Sequence, residues 1–347
     1  MHRRGGFVCL LFLTTSVCHA ASVCVNPGGT GGCLASIQDA VTAVAPRGRI
    51  DVAAGTYGES VIIPVGARIQ IYGAGAGLTI IDGSDGDPVM SLGTTANSGS
   101  NLVISDVTLT GGNQGLLVYN AYFKRARAAI SRSIITANTA EGVNVTAGWL
   151  RMADCSVTNN GGHGILNFVG RAKIERSTIS GNLGDGIRSQ DANSLVLSST
   201  VSGNSGTGMV GTVGFDPNRV FVTATTFAGN GTGVDLHSTV RCRVQSSIVA
   251  DSTSGPDIAA GSSFASRGYN LFETVDPSAI IDGGATDQTG VDPVLGPLQD
   301  NGGPTETQAL LAGSPALETS RAGCGRADQR GVSRGLAPCD IGAFEAP

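Results

Sequence analysis

From residue 134 to residue 251 the apolar and polar positions recur with one long period. Asn stands at 138, 160, 182 and 204, each 22 residues after the last. Asn230 follows after 26, and Asp251 takes the place after another 21. Three residues before each anchor lies Ile135, Val157, Ile179, Val201, Phe227 or Ile248. Four after lies Gly142, Gly164, Gly186, Gly208 or Gly255, with Gly233 three after Asn230. Between anchors, short runs alternate apolar and polar, as at Ala172 and Ile174 or Val220 and Val222, the pattern of strands. Gly and Asn inside every unit disfavour a helical repeat. A unit of this length is about half of a four-stranded propeller blade, which takes roughly 40–45 residues. It suits one coil of a parallel β-helix: two or three short strands joined by tight turns. Successive coils would stack about 4.8 Å apart, each aliphatic on its equivalent. The Asn is expected at a bend, where Asn tolerates left-handed geometry, and its amides are expected to form a ladder along the stack. The Gly is expected to permit the next bend.

The ends break the pattern. Leu34–Val44 carries Ile37, Val41 and Val44 at helical spacing, which predicts a helix capping the open first coil. The expected organisation is a signal peptide over 1–20, an N-terminal cap over 21–46, an all-β solenoid of about ten coils (from the 22-residue period) over 47–291, and irregular coils with a cap over 292–347. Arg3 and Arg4, the apolar run Phe7–Leu13 and the small residues Cys18 and Ala20 form the signal peptide, too short to span a bilayer. Secretion to the extracellular space or cell surface follows, and no later segment is apolar enough to cross a membrane.

Composition narrows the class further. The 52 Gly among 347 residues lack a three-residue period, and the 41% hydrophobic content argues against disorder. The net charge of −5, with no basic block, argues against nucleic acid. Secretion allows disulfides, and Cys24–Cys33 and Cys324–Cys339 are sequence-local pairs. Cys155 and Cys242 lie four coils apart, beyond disulfide reach, and are expected to be free. Cys155 falls in the column of Ser133, Ser177 and Ser199.

Two segments resemble a known family. The stretch SIQDAV…GRIDVAAGTYGESVIIPVGARIQIYGAGAGLTIIDG (36–83) resembles the opening of pectin-lyase-like right-handed β-helix proteins. The stretch DPVLGPLQDNGGPTETQALLAGSPAL…DQRGVSRGLAPCDIGAFE resembles the C-terminal region of bacterial choice-of-anchor Q surface proteins. The resemblance implies the fold over nearly all of the mature chain. For activity it implies little, because the wider superfamily holds lyases, polygalacturonases, epimerases and non-enzymatic surface proteins. The Gly-rich 73–77 run precedes a strand rather than a helix, so it is not a nucleotide fingerprint.

Candidate chemistry follows from stacked columns. Glu141, His163 and Asp185 each lie three after an Asn. In register, Glu141 and Asp185 would be about 9.6 Å apart, a separation that suits an inverting glycosidase, with Arg188 holding a substrate carboxylate. The alternative is polar filling of an exposed turn. The "GHG" at His163 lacks the supporting polygalacturonase elements, and the pectate-lyase patterns are missing. The column Arg132, Asp154, Arg176 reads as a charge ladder. The longer coil before Asn138 carries Tyr119, Tyr122, Lys124, Arg125 and Arg127, an aromatic–basic run suited to a uronate-bearing glycan. Asp82, Asp85 and Asp87 could supply oxygen ligands for Ca²⁺ or form an ordinary acidic turn. The expected function is binding of extracellular or cell-surface polysaccharide. A lyase or hydrolase acting on acidic glycans, and a structural or adhesive surface passenger, are the alternatives.

Overall fold

The computed structural model describes residues 21–347 apart from 84–85, 94–98, 121–125, 213–218, 321–326 and 336–337. The signal peptide therefore lies outside the described residues. The chain forms an all-β parallel solenoid of about nine turns, with one helix near its N-terminus. One coil shows the plan. Trp149–Ala153 belongs to a first sheet, Ser156–Thr158 to a second and Ile165–Phe168 to a third. The next coil repeats it with Arg171–Glu175, Thr178–Ser180 and Ile187–Gln190, each paired in parallel with the strand below. The strand Thr232–Gln245 runs through the corner between the third and first sheets, so hydrogen bonding makes them continuous. Beyond it the coils shorten, and Ser263 pairs with Ile280, 17 residues on.

Inward-facing aliphatics fill the lumen. Ile135, Val157, Ile179 and Val201 stack in one column and are fully buried. The column continues to Phe227 and Val249 rather than Ile248. That one-residue shift moves Asp251 out of the Asn column. The ladder runs from Asn138 through Asn160, Asn182 and Asn204 to Asn230, each Nδ2 donating to the next Oδ1 at 2.8–2.9 Å. Asp251 instead aligns beside Gly229 and donates its N–H to Glu273.

The bends also differ from expectation. The ladder Asn residues do not carry the left-handed conformation. It falls on the residue before, at Ala137, Asn159, Gly181, Gly203 and Gly229. Asp106, Arg132, Asp154 and Arg176 form a second left-handed column. Gly142, Gly164, Gly186 and Gly208 are needed for space. A Cβ on Gly164 would come within 2.5 Å of Ile179 and 2.7 Å of the Gly186 carbonyl.

The helix is Ile37–Val44, shorter than the 34–44 span expected, because Ser36 is its N-cap and accepts the Asp39 N–H. Leu34 instead bridges Val25. Glu59, from the first coil, accepts from Ser36 Oγ, Ile37 N and Gln38 N at 2.7–2.8 Å. Gln38 in turn accepts the Ile62 N–H. The side chains of the helix that close the lumen are Ile37, Ala40, Val41 and Val44. Cys24 and Cys33 are joined, while Cys155 and Cys242 are free and buried. Cys155 Sγ takes the place of its column's hydroxyls, donating to Ala153 O as Ser177 Oγ donates to Glu175 O. The other expected pair involves Cys324, which lies outside the described residues.

The C-terminal segment lies along the second sheet. Outward-facing Thr178, Thr200 and Thr226 are buried beneath it. Gln329 donates to Thr178 Oγ1, Thr305 Oγ1 and the Glu306 carbonyl, and accepts from Thr200 Oγ1. Ala343 N donates to Thr226 Oγ1. Arg334, fully buried, reaches Glu345 and the Asp340 carbonyl.

Candidate functional site

Three places were expected to carry chemistry, and the coil puts them in different parts of the surface. Glu141, His163 and Asp185 line up in the turn between the second and third sheets. There they serve the stack. The Asp185 N–H donates to His163 Nδ1 at 2.9 Å, and the Thr207 N–H donates to Asp185 Oδ1 at 2.9 Å. With Nδ1 accepting, the proton of the neutral ring sits on Nε2. The 3.4 Å approach of Asp185 Oδ2 to Nδ1 is then no ion pair. Arg188 donates to the other Asp185 oxygen, and Gln114 donates to Glu141. Asp185 is only 8% exposed. No hydrogen bond joins Glu141 to His163 among the described residues. Each side chain is occupied by the coil above or below it.

The aromatic–basic run is divided. Tyr119 ends the strand Leu116–Tyr119 of the third sheet, half-buried. Arg127 opens Arg127–Ser131 on the first sheet. Tyr122, Lys124 and Arg125 lie outside the described residues. Of the acidic trio, Asp82 is half-buried and pairs with Thr110, Asp87 is exposed, and Asp85 lies outside the described residues. Among the described residues no group of three or more His, Cys, Asp or Glu is placed to hold a metal ion.

Arg127 leads to a surface that residue patterns alone did not single out. Strand alternation turns every second residue of the first sheet outward. One outward column runs Arg127, Trp149, Arg171, Asn193. The next runs Ala129, Arg151, Lys173, Leu195, Phe221, Arg243. Trp149 lies between two guanidinium groups, 4.2 Å from that of Arg127 and 4.9 Å from that of Arg171. Such contacts hold a cation in place at little entropic cost. Lys173 meets Glu175, whose carboxyl is held below its ordinary range chiefly by that hydrogen bond. Arg151, Arg171, Arg243 and Arg267 have no salt bridge among the described residues. Elsewhere cations meet carboxylates: Arg132 meets Asp106, Arg176 meets Asp154 and Arg330 meets Asp328. The charge column thus resolves into two pairs, Asp106 with Arg132 and Asp154 with Arg176, with no ion pair from Arg132 to Asp154 among the described residues.

A signal for this face was present. Arg127, Trp149 and Arg171 share the 22-residue interval of the Asn ladder. The interval alone does not say which columns face outward on an uncovered sheet.

A family model described as "Right handed beta helix region" matches residues 166–276. No curated protein matches the chain. Among solved structures, the pectate lyase Pel9A is similar at 17% identity and TM-score 0.49, covering 94% of this chain and 96% of that one. The A-module of the mannuronan C-5 epimerase AlgE4 from Azotobacter vinelandii is similar at 15% identity and TM-score 0.44, with coverages of 74% and 91%. An alginate lyase from a Paenibacillus species is similar at 13% identity and TM-score 0.42, with coverages of 77% and 99%.

Proposed function

We propose that this chain binds an acidic polysaccharide along the outward face of the first sheet, outside the cell. The observation that carries the reading is the row of unpaired cations there, in a chain of net charge −5. Like charges directly opposite on neighbouring strands destabilise a sheet, and Arg151 stands opposite Lys173. A polyanion laid along the solenoid axis would relieve that repulsion. Guanidinium forks match carboxylates, and coils repeat about every 4.8 Å, a step comparable with the length of one pyranose residue. The Cys24–Cys33 disulfide suits an oxidising, extracellular setting. This agrees with the surface role that the choice-of-anchor Q resemblance implies.

The reading is of binding rather than turnover. Glu175 is a weakened base beside Lys173, and the Glu141–His163–Asp185 column is engaged in holding coils together. Calorimetric titration with polygalacturonate, alginate and neutral dextran tests it. Binding is expected for the two uronans only, weakening as salt rises. Arg171→Ala and Trp149→Ala are each expected to weaken it about tenfold, the loss of one charge-assisted contact. Equal affinity for dextran, or indifference to salt, would sink the reading. Unsaturated uronate appearing in the same mixtures would replace it with a lyase.

A further inference from the structure

The cover laid on the second sheet begins at Thr178. The outward column of that sheet runs Thr108, Ile134, Ser156, Thr178, Thr200, Thr226. Thr178 Oγ1 donates to the Glu306 carbonyl, Thr200 Oγ1 donates to Gln329, and Thr226 Oγ1 accepts the Ala343 N–H. At the other end Thr108 Oγ1 accepts the Gly77 N–H. Ile134 and Ser156 lie half-buried between these two coverings. There the sheet and the loop 300–306 form a depression of about 620 Å³, whose walls include Ser156, Ser180, Asp300 and Glu306. Ser180 is 8% exposed, and neither serine hydroxyl has a hydrogen-bond partner among the described residues. The loop is held in place. Asn301 Nδ2 donates to the Thr307 carbonyl, Arg330 donates to the Asn301 carbonyl and Thr305 Oγ1 donates to the Arg176 carbonyl. The exposed Glu306 carboxylate has no hydrogen bond or ion pair among the described residues, and that of Asp300 accepts only the Gly302 N–H. No Lys or Arg lines the depression among the described residues.

We propose that this depression docks an extended, basic peptide segment of a partner protein. The sheet already shows how it receives a chain: outward hydroxyls bond carbonyl and N–H groups of the C-terminal segment that crosses them. Ser156 and Ser180 offer the same bonds to a second segment laid beside the loop. A buried hydroxyl without a partner is costly, and a peptide N–H or carbonyl on Ser180 removes that cost. The Asp300 and Glu306 carboxylates, with no cation among the described lining, select an Arg or Lys in that segment. The loop is fixed before binding, so little of it has to be ordered. The site lies on a different sheet from the cationic face and uses none of its residues.

Calorimetric titration of the full chain with three end-capped hexapeptides tests the site. One alternates arginine with serine, one glutamine with serine and one glutamate with serine. The arginine peptide is expected to bind, the glutamate peptide not to bind. Asp300→Asn and Glu306→Gln are each expected to weaken the arginine peptide about threefold, the worth of one exposed ion pair. The glutamine peptide, which loses both pairs, is expected to bind about tenfold more weakly. Ser156→Phe fills the floor of the depression and is expected to abolish binding while the β-sheet circular dichroism is unchanged. The two carboxylate variants change only exposed loop side chains, so they test the site even if Ser156→Phe misfolds. Equal affinity for the arginine and glutamate peptides, or binding of none, overturns the site. Arginine-peptide affinity unchanged in all three variants would show attraction by the acidic chain at large and overturns it too. Dimerisation of the chain that Ser156→Phe abolishes would make a second copy the occupant in place of a partner.

Discussion

Asn182 is bonded on every side. Its Oδ1 accepts both the N–H and the Nδ2 of Asn160, and its Nδ2 donates to Asn204 Oδ1 and the Val157 carbonyl. Asn182→Ala leaves the buried Asn160 N–H without its acceptor and breaks the amide ladder on both sides. With each such group costing about 1–3 kcal/mol, the total loss is expected to reach about 3 kcal/mol in urea denaturation. The glycines allow a sharper comparison. Gly164→Ala drives a Cβ against a backbone carbonyl that cannot move alone, an overpacking cost of about 1–3 kcal/mol. Gly203 has a φ of +65° and nothing within 4 Å. Gly203→Ala is therefore expected to cost about 1 kcal/mol, the left-handed strain alone. A greater loss at Gly203 than at Gly164 would refute the close-approach account. The Cys155 thiol, pushed up to about 12 by burial, is protonated at neutral pH, so it acts as a packing group in the hydroxyl column.

The turns between first and second sheets are fastened by charge, and their response to pH has a definite sign. The hydrogen bond from Arg132 holds the Asp106 carboxyl below its ordinary range. Its contribution to stability is therefore complete above the unfolded carboxylate value, about 3.9, and is lost as pH falls through the lower folded value. Asp251 behaves oppositely. Partial desolvation, in a residue that stays exposed, then the like charges of Glu273, Asp292 and Asp257, raise its pKa. Its favourable contribution exists at acid pH and is lost as pH rises through the raised value. Urea midpoints measured across pH are expected to show a flatter acid limb in Arg132→Gln than in wild type. Asp251→Asn is expected to be more stable than wild type at neutral pH, with the gain vanishing in acid. Asn also tolerates the left-handed φ of +55° at that position. A gain that persists in acid would show another cause.

Across the whole molecule the three faces have different fates. Among the described residues the first sheet is uncovered and cationic, the second is covered by the C-terminal segment, and the third carries partly exposed apolar residues such as Ile62 and Phe168. Gln329 fastens the cover to the sheet through two side-chain hydrogen bonds, to Thr178 and Thr200, and ties it to itself through two more. Gln329→Ala leaves Thr200 Oγ1 without its acceptor and cuts the contact from residue 329 to Thr178, which keeps its bond to the Glu306 carbonyl. Limited proteolysis is expected to cleave the C-terminal segment faster in this variant while the β-sheet circular dichroism is unchanged. Equal cleavage rates would show that the segment is held elsewhere, for instance by the buried Arg334.

The coil repeat, the aliphatic stack, the Asn ladder, the capping helix, the Cys24–Cys33 link and the two free thiols were all legible in the sequence. Each depends on spacing along the chain, and in a solenoid equal spacing becomes vertical contact. The site was less legible. Of the proposed face, Arg127 was among the residues singled out from the sequence and Trp149 and Arg171 were not, because alternation separates inside from outside without saying which outside is covered. The fate of each face was set by contacts distant in sequence. Thr178 meets Gln329 from 151 residues away, and the cover is laid on the second sheet rather than the first. Columns were written in the chain; their surroundings were decided by the tertiary packing that shields the hydroxyls of one sheet and leaves Arg151, Arg171 and Arg243 of another without a carboxylate among the described residues.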